Sequence, residues 1–241
     1  MCHLISPYLL VRLDVFVPLG TVIVKLVLIE VVFVKRASRD RRRDEILDVA
    51  VQVLSERGYR DASMLEIANR AAASKETLYA WFGDKQGLLA ALIERNAQLV
   101  QAVLAGHLKG EAPPERVLFE FGRALLELLL GDSAVAINRA VIAEAKSDPA
   151  LARTLAAGGR QAVLPSFIRL LERYAEHEEL KFDDAAQAAE DFLGLLLGDT
   201  QIRRLHGVLP RPGKAQIEAR AVRATRAFLL LYGRERMDEL S

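Results

Sequence analysis

Two serines set close together, each opening a short apolar-patterned run, constrain this chain more than any other feature. Ser63 begins S-M-L-E-I-A and Ser74 begins S-K-E-T-L-Y-A-W-F. A serine hydroxyl that accepts the backbone N–H three residues on is a helix N-cap, and a glutamate at that third position can reach back to close a capping box. The spacing therefore predicts two short helices joined by a tight turn, a helix-turn-helix over residues 63–82. Leu65, Ile67, Ala68 and Ala71 would supply the apolar contacts of the first. In the second, Leu78 and Phe82 lie one turn apart and face the core, which leaves Lys75, Glu76, Thr77 and Tyr79 off that face. A helix that enters the DNA major groove needs short side chains, or ones that bond to base edges and phosphates. Ser74, Lys75, Thr77 and Tyr79 meet that demand, although an ordinary helical hairpin would carry the same pattern.

The flanks extend the pattern. Residues 43–57 carry Ile46, Leu47, Ala50, Val53 and Leu54 as one stripe at helical spacing, and Gly58 suits the left-handed position that ends a helix. Asp84 caps a long helix reaching about Gly106, with Leu88, Leu89, Leu92, Ile93, Leu99, Val100, Val103 and Leu104 as its apolar positions. Pro113-Pro114 and Asp148-Pro149 each open a further helix. The stretch 117–130 is apolar around most of its circumference and is expected to be central. Pro165 should kink or break the helix that contains it. Asp183 or Asp184 caps the helix carrying 192–197, and the last helix runs to Tyr232 with Gly233 as its stop. No strand pattern follows residue 38. The fold class expected is all-α, with an N-terminal three-helix DNA-binding domain ahead of a helical ligand-binding and dimerisation domain. The expected divisions are 1–38, an atypical extension; 39–89, the DNA-binding domain; and 90–234, the effector-binding and dimerisation domain.

Composition limits the function classes. The 241 residues are 51% hydrophobic and 27% charged with a net charge of +1, which is globular and excludes a polyanion binder by bulk charge. Charge placement matters more. Lys35, Arg36, Arg39, Arg41, Arg42 and Arg43 cluster just before the motif, opposed locally by Asp40, Asp44 and Glu45. Such a block is a solvated tail or, ahead of a DNA-binding helix, a phosphate-contacting arm, with Arg43 as its innermost member. The single cysteine, Cys2, excludes an internal disulfide and a thiolate zinc cluster. His3, His107, His177 and His206 lack metal-ligand spacing. No catalytic arrangement, Gly-rich phosphate loop or nucleophile elbow is visible, so no enzyme, metal or cofactor is expected.

Residues 1–34 differ from the rest. The run LGTVIVKLVLIEVVFV is shorter than a membrane span, carries Lys25 and Glu30, and lacks the basic start and cleavage site of a signal peptide. Its β-branched content suggests a strand if anything. The reading preferred is a mis-called start or an unstructured extension. A membrane anchor, making the chain a tethered adaptor, is the alternative from another class.

The stretch 44–89 resembles the DNA-binding domain of TetR-family transcriptional regulators, through ILDVAVQVLSERGY, S-M-L-E-I-A and SKETLYAWFGDKQGLL in order. The resemblance implies that Ser74, Lys75 and Thr77 belong to the recognition helix, that Tyr79 and Lys85 contact phosphates, and that Ser63 caps the second helix. Trp81 sits at a position that tolerates aromatics, where packing is expected. The family commonly has glycine where this chain has Ala72; a positive φ there would strain alanine by on the order of 1 kcal/mol. The pieces VIAEAKSDPALARTL and LLLGDTQIRRLHG resemble the AefR-like subgroup. That implies a homodimer built mainly on the last two long helices and a small-molecule pocket among the middle ones. Gly194 and Gly198, four apart among Leu and Phe, would permit close helix approach, within the chain or between chains. Asn138, Arg139, Glu144, Arg160 and Gln161 are the polar residues in apolar stretches that could line a pocket. The expectation is a cytoplasmic repressor without a membrane partner, released from a near-palindromic double-stranded operator by an effector. A DNA-binding regulator without a ligand, or one that activates, is the runner-up.

Overall fold

A computed structural model describes residues 19–108, 110 and 112–234. The chain runs through α1 (Leu19–Asp61), α2 (Met64–Arg70), α3 (Lys75–Phe82), α4 (Lys85–His107), α5 (Pro114–Leu129) and α6 (Asp132–Glu144). It continues through α7 (Pro149–Gly158), α8 (Arg160–Glu176), α9 (Ala185–Leu197), α10 (Thr200–Leu205) and α11 (Lys214–Tyr232). Among the described residues the one bridge between extended segments joins Leu180 and Gly233, and there is no sheet. The chain is all-α, as its periodicity predicts.

Backbone contacts group the chain into two units, Met1–Glu45 and Ile46–Ser241. In the first, α1 begins at Leu19, so the Val-rich run is helical, where an unstructured extension was among the preferred expectations and its β-branched content suggested a strand if anything. Each β-branched residue costs a helix only tenths of a kcal/mol, and an all-helical chain offers no strand for this run to pair with. Residues 1–18 of that segment lie outside the described residues. Arg42 pairs with Glu45 at 2.7 Å in the last turn of this unit.

In the second unit, sequence signals and helix ends coincide closely. Gly58 breaks α1 with φ 76° and ψ 173°, a conformation open to glycine and strained for other residues. Ser63, Ser74, Asp84, Asp148 and Asp184 each cap the following helix through a side-chain oxygen. The capping box at α2 is half formed. Ser63 Oγ accepts from Glu66 N at 3.1 Å, but the Glu66 carboxylate turns to Arg70 at 2.7 Å. Charge pairing one turn away outcompetes the reach back to the cap. Pro165 does not break α8, which is helical from Arg160 to Glu176. The break comes earlier, at Gly159, with φ −97° and ψ −99°. Pro165 falls in the second turn and is exposed together with Gln161, so the carbonyl it leaves unpaired can be met by water.

Two apolar cores hold this unit together. The lower one collects Ile46, Leu47, Ala50 and Val53 of α1, Ile67 of α2, Leu78 of α3 and Leu88, Leu89 and Leu92 of α4. It also takes in Ile137 and Val141 of α6 and Leu151 of α7. The upper core centres on Phe121 of α5, stacked on Phe167 of α8 at 4.2 Å between ring centroids, with Phe192 of α9 and Phe228 of α11 behind them. Each buried ring contributes about 1.5–3 kcal/mol of transfer free energy. The central place expected for 117–130 is the place α5 holds, packed against α4, α6, α9 and α11. Two of the residues expected at the apolar positions of α2 and α4 face outward instead. Leu65 is 53% exposed, its core slot taken by Met64, and Leu99 is 63% exposed. Helix α4 is long and apolar enough to cross a membrane, but half of its apolar window is buried within these cores.

Candidate nucleic-acid interface and ligand cavity

The local sequence presents α3 outward by its two ends. Ser74 Oγ accepts from Thr77 N at 3.1 Å and lies 3.0 Å from Thr77 Oγ1, which fixes the first turn. Leu78 and Phe82 anchor the opposite side, at 0% and 7% exposure. Lys75, Glu76, Tyr79 and Ala80 are therefore exposed, while Thr77 is half-buried. The Lys75 ammonium sits 5.6 Å from the centre of the Tyr79 ring, which places a cation and a phenol side by side on the open face. Trp81 is partly buried against the lower core and meets Phe82 edge-on at 6.5 Å. Ser63 is exposed but engaged as a cap, and Arg43, in the first unit, is half-buried.

The turn between α2 and α3 passes through Ala72, whose φ is +47°. A non-glycine residue there holds a left-handed conformation, with the local strain the sequence pattern implies for alanine in that place.

Lys85 is held differently from the outward residues. Its ammonium donates to the carbonyls of Tyr59 at 2.7 Å, Ala62 at 3.0 Å and Arg60 at 3.2 Å, and lies over the Tyr59 ring at 4.4 Å. All three donors of the ammonium are thus spent on the corner between α1 and α2. Desolvation pulls the Lys85 ammonium below its ordinary range, while Glu144 and Asp61 pull the other way. Burial, and then Asp148, Asp84 and Glu144, push the Tyr59 phenol up.

Above the lower core lies a cavity of about 420 Å³. Its walls are mainly apolar, including Phe121, Leu125 and Phe167, with Ile93, Ile137 and Val141 on the side that belongs to the lower core. Of the five polar residues expected at a pocket, Asn138 and Arg160 line it. The other three lie elsewhere, because each has a nearer partner or faces solvent. Arg139 donates to the carbonyls of Leu205 and Arg204 at 2.8 and 3.4 Å. Glu144 pairs with Arg60 at 3.3 Å and accepts from Ser147 at 2.7 Å, and both bonds hold its carboxyl below the usual range. Gln161 is exposed. Two further polar side chains line the cavity, Asn96 and Gln201. Each is an amide beside apolar positions, in I-E-R-N-A-Q-L and D-T-Q-I, a signal too common to single them out.

The Gly194/Gly198 pair separates into two roles. Gly194 is exposed, and a Cβ there would meet nothing within 4 Å. Gly198 ends α9 with φ +47°, and a Cβ would lie 3.0 Å from the Arg220 guanidinium, which itself caps α9 by donating to Leu196 and Leu197 carbonyls.

Comparison with known proteins agrees with this architecture. Residues 46–92 match the model of bacterial regulatory proteins of the tetR family, and residues 116–234 match the AefR-like transcriptional repressor C-terminal domain. A TetR transcriptional regulator from Agrobacterium tumefaciens is 33% identical, covering 82% of this chain and 97% of that one, with a TM-score of 0.63. The flavonoid-responsive regulator FrrA is 28% identical, covering 81% and 99%, with a TM-score of 0.58. The HTH-type transcriptional activator FasR of Mycolicibacterium smegmatis is 44% identical over 61 residues, 25% of this chain and 28% of that protein. The chain spans less than half the length of the curated relatives it matches. With a helix-turn-helix formed by α2 and α3 and a helical body matched from 116 to 234, the chain belongs to the TetR family of transcriptional regulators, in its AefR-like subgroup.

Proposed function

We propose that this protein is a homodimeric repressor that binds a near-palindromic DNA operator and lets go of it when a small molecule enters the cavity between its helices. The observation that carries the reading is the shared wall. Ile93, Ile137 and Val141 line the cavity and pack in the same core as Ile46, Ile67 and Leu78 of the DNA-binding helices. A ligand that repacks this wall has a direct mechanical route to α2 and α3, because packed cores shift between discrete arrangements and do not deform continuously. Effector binding would favour a spacing of the two recognition helices that no longer matches successive major grooves. FrrA, described as flavonoid-responsive, supports a ligand-responsive role.

Lys75 and Tyr79 carry the DNA contact in this reading, Lys75 reading base edges and Tyr79 a phosphate. Ser74 and Thr77 set the first turn of α3, Ser63 sets that of α2, and Arg43 adds positive charge ahead of them. Lys85 acts through the α1–α2 corner it clamps and adds a cation near the phosphate backbone. Dimerisation is assigned to the outer faces of α9 and α11, where Leu195, Leu230 and Leu231 are 39%, 56% and 58% exposed. A protein of this kind works beside the chromosome, hence in the cytoplasm. FasR is named an activator, and the same DNA contact would serve activation.

The test measures fluorescence anisotropy of a selected operator with the full-length protein, alongside compounds that raise its melting temperature. Release of DNA by a stabilising compound is the expected result. Stabilising compounds that leave DNA affinity unchanged would defeat effector release, since a ligand with equal affinity for both states shifts nothing. A reporter placed behind the operator separates repression from activation by the sign of its response.

A further inference from the structure

The cavity's charge balance limits what it can hold. Arg160 is the one ionised side chain among its lining residues, and it sits at the rim, 54% exposed and already paired with Glu190. Nothing else in the lining could neutralise a carboxylate or phosphate, and an ion taken into an apolar cavity without a partner forfeits its hydration. The polar groups that remain are neutral amides. Asn138 is the most sharply defined. Its Nδ2 donates to the Ala134 carbonyl at 2.8 Å, which fixes which end of the amide is nitrogen. The Asn138 oxygen is the other end of that amide, and no donor among the described residues bonds to it. Phe121 and Phe167, stacked at 4.2 Å with 23° between planes, give the same cavity an aromatic wall.

We propose that the cavity takes an uncharged, mainly apolar aromatic molecule whose hydroxyl group donates a hydrogen bond to the Asn138 side-chain oxygen, a phenol in chemical class. A phenol titrates near pH 10, so it enters neutral at physiological pH. Its ring meets the Phe121–Phe167 wall while its hydroxyl satisfies the acceptor the protein leaves open. This assignment rests on the effector-pocket reading of the same cavity but concerns ligand chemistry alone, and it can fail separately.

The experiment titrates the full-length protein calorimetrically with probes on one skeleton: 4-phenylphenol, its methyl ether 4-methoxybiphenyl, and biphenyl-4-carboxylate. The phenol should bind roughly three- to tenfold tighter than the ether, the discrimination one neutral hydrogen bond provides. It should also bind at least tenfold tighter than the carboxylate, by the cost of burying an unpaired ion. Asn138→Leu should erase the preference of phenol over ether. Because the ether removes the donor from the ligand, the comparison stands even where Asn138→Leu fails to fold. Equal binding of phenol and ether overturns the proposal, as does the absence of phenol binding. Tighter binding of the carboxylate, lost in Arg160→Ala, overturns it in favour of an anion held at the rim. Operator release is read separately. Phenol binding without DNA release would support the ligand class and defeat the effector reading, and release by some other ligand would do the reverse.

Discussion

The Arg60 guanidinium, just past the break at Gly58, meets the Glu144 carboxylate at the C-terminal end of α6 at 3.3 Å. The pair ties the corner of the DNA-binding helices to the helix that lines the cavity. Ser147 and Arg60 hold the Glu144 carboxyl below its ordinary value. A carboxylate depressed in the folded state contributes stability that is complete above its unfolded pKa, about 4.3, and is lost as pH falls through the lower folded value. Glu144→Gln should therefore melt lower than wild type at neutral pH. The gap should narrow as pH falls below about 4.3 and close once pH drops below the lowered folded value. A gap that persisted unchanged to pH 3 would assign the effect to something other than this charge.

Ala72→Gly should stabilise the protein by about 0.5–1 kcal/mol. Relief of a left-handed alanine is worth roughly 1–2 kcal/mol, partly offset by the greater freedom of glycine in the unfolded chain. Chemical denaturation measures it, and the operator preference should be unaltered. A loss of stability would mean that the turn does not hold Ala72 at φ +47° in solution.

Lys85→Met should lower stability by about 1–2 kcal/mol, since it removes a charged donor from three carbonyls of the α1–α2 corner. The dependence of log affinity on log salt should change by less than the roughly one unit expected for a lost phosphate contact. An unchanged melting temperature with a full unit of lost slope would instead make Lys85 a direct phosphate ligand.

Much of this was legible in the sequence because helix ends are written in side chains. Ser63, Ser74, Asp84, Asp148 and Asp184 cap where the pattern places them, and Gly58 stops its helix. The α3 face was legible too, because Leu78 and Phe82 leave one orientation open. Tertiary choices were not. Glu66 selects Arg70 over its own cap, and Lys85 turns to carbonyls more than twenty residues away, at Tyr59, Arg60 and Ala62. Periodicity cannot weigh such competing partners. The cavity was half legible for the same reason. Asn138 and Arg160 were expected, but polarity within an apolar run does not say whether a side chain meets a void, a carbonyl or another charge.

In the proposed dimer, Leu231→Glu should give a folded monomer, because Leu231 is 58% exposed in the protomer. Sedimentation velocity at low micromolar concentration reads this out. Gly198→Leu is a poorer probe. It strains a residue at φ +47° and crowds Arg220 within the protomer, so loss of the fold would accompany any loss of the dimer. A Leu231→Glu protein that stayed dimeric would place the interface off the outer face of α11.

The most direct measurement is selection from a random duplex pool by the purified full-length protein, followed by sequencing of the bound DNA, with Lys75→Ala in parallel. Enrichment of two half-sites related by two-fold symmetry is the expected result. Lys75→Ala should alter the preferred bases within each half-site, while Tyr79→Phe should weaken binding to all sequences alike. A pool in which no sequence is enriched, or the same half-sites selected by Lys75→Ala and wild type, would rule out base reading by α3.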